Sequence, residues 1–170
     1  MTDDQNETNE MVEVSVNGLA LDDATKSPVV ILCPAESEKI LPIWIGPTEA
    51  WAIAMEMSGV PSKRPMTHDL IKSVIECLKA KVLRVEIFDL RDQTFYARII
   101  LMSNGSTVEI DARPSDSIAL ALKTKAPIFA NSKLFDLQPS HGPEPNRLDP
   151  EELKERLKRI NPEDFGKYSL

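Results

Sequence analysis

Three strand-like segments, VLRVEIFDL (82–90), TFYARIILM (94–102) and TVEIDA (107–112), follow one another with only a few residues between them. Connections that short can join only antiparallel neighbours, because a parallel return needs a crossover of a dozen residues or more. The joins suit tight turns: Arg91-Asp92-Gln93 makes the first, and Asn104-Gly105 tolerates the positive φ angles of a two-residue hairpin. A β-meander is therefore expected in the middle of the chain, and a regularly alternating, doubly wound α/β fold is not.

MVEVSVNGLAL (11–21) alternates in the period of a half-buried strand, VVILC (29–33) after Pro28 is its buried neighbour, and Asp22 and Asp23 lie in the turn between them. ILPIWI (40–45) is a third strand stopped by Gly46-Pro47, and Pro42 within it argues for a sheet edge or a bulge. TEAWAIAMEMSG (48–59) changes to helical spacing, with Thr48 as expected N-cap, Glu49 in the first turn and Gly59 past the end. A second helix is expected from Thr67, with an apolar stripe of Leu70, Ile71, Val74, Ile75 and Leu78. A third is expected from Ser115 to about Lys125, with Ile118, Ala119 and Leu122 on one side and the short strand PIFA (127–130) behind it. The order is β-β-β-α-α-β-β-β-α-β: an α+β fold with a mixed, largely antiparallel sheet, helices packed on it, and a C-terminal helical tail.

Residues 1–10 carry four acids and no base and read as a disordered leader. Residues 11–137 form the expected domain, and 138–170 hold a proline-rich linker followed by the charged helix PEELKERLKRI, whose narrow apolar face is Leu153, Leu157 and Ile160. The net charge of −7 disfavours a strong attractive field for phosphates, yet 11–137 is nearly balanced, with 14 bases against 16 acids, so a local basic patch remains open. The polar leader and the absence of a membrane-length apolar run place the chain in the cytoplasm and off the membrane. Cys33 and Cys77, far apart in apolar segments without ligand spacing, are expected to be buried reduced thiols.

Chemistry concentrates in two echoing stretches, RPMTHDL (64–70) and DARPSDSI (111–118). Each leads from an Arg-Pro pair into a helix start, where unsatisfied N–H groups and the helix dipole favour an anion or a carboxylate. Capping alone accounts for Thr67 and Ser115 as N-caps, and for Asp69 and Asp116 in the first turns. It requires no guanidinium at Arg64 or Arg113 and no imidazole at His68, and Asp111 ends the strand beside Arg113.

These segments, with LPIWIGPTEAWAIA (41–54) before them, resemble the bifunctional nuclease domain family, whose members carry an (I/W)IG-x-x-EA-x-(A/S)IA segment, an RP-x-THDL segment and a DARPSDAIALA segment. The match covers about 11–137, departing at Trp51 and at Ser117, where the family commonly has alanine. The resemblance implies nuclease activity on DNA and RNA with little sequence selection, in a mixed α+β fold that self-associates as a homo-oligomer. The roles follow from what phosphodiester cleavage needs. His68 serves as general acid or base, with Glu49, Asp69 and Asp111 as further catalytic candidates. Arg64 and Arg113, with Thr67 and Ser115, hold the phosphate, and Glu49, Asp69, Asp111 and Asp116 are candidate ligands for a divalent cation such as Mg or Mn. Phe95 and Tyr96 alternate between sheet faces, so only one of them can meet a bound base. The competing reading is a non-catalytic oligomeric regulator that binds an anionic ligand in the same crevice; the missing HNH-like, P-loop and stacking signatures motivate it.

Overall fold

The computed structural model describes residues 10–137 and 146–147. The strands are β1 (Met11–Leu21), β2 (Pro28–Pro34), β3 (Leu41–Trp44), β4 (Lys81–Arg91), β5 (Thr94–Ser103), β6 (Ser106–Ala112), β7 (Ile128–Asn131) and β8 (Asn146–Arg147). The helices are α1 (Pro47–Ser58), α2 (Thr67–Cys77) and α3 (Pro114–Thr124), and a 3-10 turn spans Ser132–Phe135. The fold is α+β. One sheet runs β3-β2-β1-β7-β4-β5-β6, with β8 paired to β1. All neighbours are antiparallel except β4 and β7, so β7 is the seam that joins the N-terminal hairpin strands to the meander.

Local chemistry explains the joins. Asn104 and Gly105 take positive φ, as do Asp92 and Gln93, giving the two hairpins of the meander. Pro42 sits in β3 at the sheet edge, where its missing N–H costs no ladder bond. In β1 the register with β2 shifts between Val16 and Gly18, and Gly18 adopts φ 129°, a conformation a side chain would strain. That extra residue keeps both Val16 and Leu19 on the core face, although they are three positions apart.

The helices cover one face of the sheet. α3 lies deepest: Ser115 and every residue from Ser117 to Ala121 is buried, so it is enclosed on more than the one side its apolar spacing indicates. Ile53 and Ala54 of α1 join Ile118 and Leu120 in the main core, with Val85, Ile87 and Ala97 of the sheet beneath. Burying each of these larger aliphatic side chains contributes roughly 1.5–3 kcal/mol. A smaller apolar cluster of Ala20, Val29 and Ile31 lies on the opposite sheet face, with Trp44 packed against it. Among the described residues no helix is long and apolar enough to cross a membrane.

Four sequence expectations need correction. The N-caps are Gly46, Met66 and Arg113, not Thr48, Thr67 and Ser115, because Pro47 and Pro114 take the first helical position, where a missing N–H is harmless. The apolar stripe of α2 stays mostly outside the core: only Ile75 packs against it, none of the helix's residues is fully buried, and Leu70, Val74 and Leu78 are 58%, 48% and 69% exposed. Cys77, on that helix, is exposed, and Cys33 is half-buried; both thiols are free. Asn146 and Arg147, read as linker, pair with Ala20 and Leu21 of β1. The leader and the C-terminal helix lie outside the described residues.

Candidate functional site

The three helix starts share a pattern: Glu49, Asp69 and Asp116 each occupy the third position of their helix. An acid there offsets the dipole and can reach back to the free N–H of the cap. Only Asp69 does so, its Oδ2 accepting from the Met66 N–H at 2.9 Å. The other two are drawn into a side-chain network that joins the helices.

Arg113 is the hub. Its Nε donates to Asp116 Oδ2 at 2.7 Å within its own helix start, and its Nη1 donates to Glu49 Oε1 at 3.1 Å across to α1. On the other carboxylate oxygen, Asp116 Oδ1 meets His68 Nε2 of α2 at 3.1 Å. A chain Glu49–Arg113–Asp116–His68 thus spans all three helices. Gly46 makes room for it, since a Cβ there would collide with Glu49 Oε2. Burial pushes the Asp116 carboxyl upward, but hydrogen bonds from Arg113 and His68 outweigh this and hold it below the usual carboxylate range. Asp116 is therefore an acceptor only, so Nε2 carries a hydrogen, and Nδ1 has no hydrogen-bond partner among the described residues. The His68 side chain is 13% exposed, whereas that of Arg113 is 65% exposed and reaches solvent.

A second network braces the first. Lys123 Nζ donates to Asp69 Oδ1 at 2.6 Å and pairs with Glu56 Oε2 at 2.7 Å, tying α3 to both α2 and α1. Burial lowers the Lys123 ammonium, but its two carboxylates more than compensate and hold it above the usual lysine range. Hydrogen bonding from Lys123 and from the Met66 N–H holds Asp69 low. Neither Lys123 nor Glu56 was singled out from sequence, because each looks like an ordinary polar position on an amphipathic helix.

Both networks line one crevice of about 640 Å³, together with Lys63, Arg64 and Thr67. Arg64 lies exposed on its rim and makes no ion pair among the described residues. Ser115 is buried and lines a neighbouring cleft, which shares Glu49 and Arg113 with the crevice. Asp111 lies elsewhere. It sits exposed on β6 opposite Arg98, which in turn faces Glu86, so its side chain is on the sheet face away from the helices. The structure thus brings His68, Asp116, Arg113 and Glu49 together, places Asp69, Arg64 and Thr67 on the same crevice, and leaves Asp111 out.

The carboxylates do not fit a divalent cation as arranged. Asp116 and Glu49 face one guanidinium, Asp69 and Glu56 face one ammonium, and among the described residues no three His, Cys, Asp or Glu are grouped to hold a metal.

Fold and crevice define an α+β protein in which converging helix starts present a histidine–carboxylate–arginine chain to one open crevice. The chain belongs to the bifunctional nuclease domain family, whose model, described as "Bifunctional nuclease domain", matches residues 30–140. An uncharacterized protein of Mycobacterium tuberculosis is 38% identical over 164 residues, 91% of this chain and 98% of that protein. Bifunctional nuclease 1 of Oryza sativa subsp. japonica is 26% identical over 116 residues, 66% of this chain and 35% of its own length. Bifunctional nuclease 1 of Arabidopsis thaliana is 25% identical over 118 residues, 67% of this chain and 36% of its own. The chain therefore spans about a third of these plant proteins.

Proposed function

We propose that the crevice is the phosphodiester-cleaving site of a cytoplasmic nuclease that hydrolyses DNA and RNA with little sequence selection. The observation that carries this reading is the Glu49–Arg113–Asp116–His68 chain, supported by family membership and by the names of the plant relatives. Asp116 fixes the imidazole, so Nδ1 can take a proton from an attacking water or a ribose hydroxyl. Arg113, with Nε and Nη1 held by carboxylates, keeps Nη2 for a phosphoryl oxygen, where developing negative charge is stabilised by a pre-placed cation. Arg64 and Lys63 on the rim supply further positive charge for the flanking backbone. Low sequence selectivity fits a site built from backbone-directed cations.

Purified protein assayed on single-stranded DNA, duplex DNA and RNA tests the reading. His68→Ala should lower the rate by roughly 10²–10⁴-fold, and Arg113→Ala by roughly 10²–10³-fold. Parallel assays with and without chelator decide whether a cation takes part. Unchanged cleavage by folded variants would assign the activity to a contaminant or another site, and binding of nucleic acid without cleavage would favour the regulatory alternative. The same reading includes self-association, for which the exposed face of α2 offers apolar surface. Sedimentation of the wild type beside Leu70→Glu should show whether that face is used.

A further inference from the structure

The wall formed by Glu49 and Arg113 has a second side. Behind it opens a cleft of about 1010 Å³, lined by Trp44, Phe95 and Leu90 among other apolar groups, with Asp22 among the polar ones. Two aromatic rings, those of Trp44 and Phe95, line it alongside polar groups such as Gln93 and Thr94, and it shares Glu49 and Arg113 with the crevice. Asp22 Oδ2 accepts from Trp44 Nε1 at 2.8 Å, which fixes the indole at the cleft wall. Phe95 is half-buried in that lining, whereas its neighbour Tyr96 points to the other sheet face, where it packs near Phe88 and under Arg91.

We infer that this cleft is a nucleoside subsite, receiving the base and sugar next to the phosphate held by Arg113. The inference rests on the nuclease reading of the crevice and deepens it. A ligand reaching from one cavity to the other must carry an anionic group at Arg113 and a flat apolar body at Phe95 and Trp44; a nucleotide has both. The volume suits such a ligand and exceeds what a simple anion needs. Stacking on an aromatic wall tolerates any base, in keeping with weak sequence selection. A base inside a duplex is stacked and paired, so it must leave the helix to enter the cleft. The preferred substrate is therefore single-stranded at the cleavage point.

The test separates the subsite from the cleavage chemistry. Binding is measured by fluorescence anisotropy on the full His68→Ala chain, using a labelled oligothymidylate and an abasic deoxyribose-phosphate strand of equal length. The thymidylate should bind roughly tenfold more tightly, Phe95→Leu should remove most of that difference without changing abasic binding, and Phe95→Tyr should restore it. Melting temperatures of the variants confirm that they are folded. Equal binding of the two strands, or a folded Phe95→Leu protein that still distinguishes them, overturns the subsite even if cleavage is observed. Base-dependent binding in a protein that cleaves nothing upholds the subsite and overturns the nuclease reading instead. On the wild type, cleavage of a single strand should exceed that of the matching duplex by tenfold or more; a duplex cleaved equally well contradicts the inference.

Discussion

Ser117 is the sole buried side-chain hydroxyl without a hydrogen-bond partner among the described residues, and it is fully buried in α3. Burying a hydroxyl unpaired costs about 1–3 kcal/mol, so Ser117→Ala, which removes the group without opening a large void, should stabilise the chain by about 1 kcal/mol. Chemical denaturation of the two proteins measures it; a loss of stability would mean that Oγ has a partner in solution. Gly46 makes the opposite kind of prediction. Its φ of −75° suits alanine, but the added Cβ would collide with Glu49 Oε2 and push the carboxylate away from its place beside Arg113. Gly46→Ala should fold normally and still lower activity several-fold by loosening Arg113, whereas an unchanged rate would show that Glu49 is not needed to hold it.

The helices are joined by ions at their starts and again through the last turn of α3, which is the common partner. Lys123 alone links it to Glu56 of α1 and Asp69 of α2, with all three side chains mostly buried. Lys123→Met keeps the volume but strands two carboxylates, and a cost of about 1–3 kcal/mol is expected after allowing for partial exposure. Activity should fall further than stability does, because the positions of His68 and Arg113 depend on how α2 and α3 meet. A variant with lower stability and unchanged kcat would limit Lys123 to a structural role. This scale also shows what the sequence could reveal. The meander, the edge position of Pro42 and the order of elements were legible because period-two patterning and turn residues are local signals. The depth of each helix was not. The stripe on α2 is strongly amphipathic yet solvent-facing, and the modest pattern of α3 hides a helix enclosed by the sheet and its neighbours, because burial depends on tertiary placement. The arginine and histidine of the crevice stood out because capping does not need them; Lys123 and Glu56 did not, because a helix face accommodates such residues without function. Asp111, one residue from Ala112, which packs against the main core, was assigned to the site by proximity in sequence, and strand alternation put it on the other face.

Among the described residues, five carboxylates are held below their ordinary values: Asp22, Asp69, Glu86, Asp89 and Asp116. Four of them bridge elements: Asp22 takes the Trp44 indole N–H, Asp69 takes Lys123, Glu86 sits between Arg84 and Arg98, and Asp116 joins Arg113 to His68. A group whose folded value is depressed binds fewer protons folded than unfolded between the two values, so acid favours the unfolded chain. The stabilisation is present above the ordinary values of 3.8 for Asp and 4.5 for Glu, and is lost as the pH falls through the lower folded values. Mild acidification has a competing effect, since protonating exposed acids first relieves the net charge of −7. The melting temperature should therefore stay level or rise slightly from pH 7 to about 5 and then fall steeply below about 4. Circular-dichroism melts at constant ionic strength give the profile, and Asp116→Asn should make its acid limb shallower by removing one proton-linked bridge. A melting temperature that holds down to pH 3 in the wild type would show that these carboxylates titrate alike in the folded and unfolded chains, and that the bridges between the helices carry little of the stability.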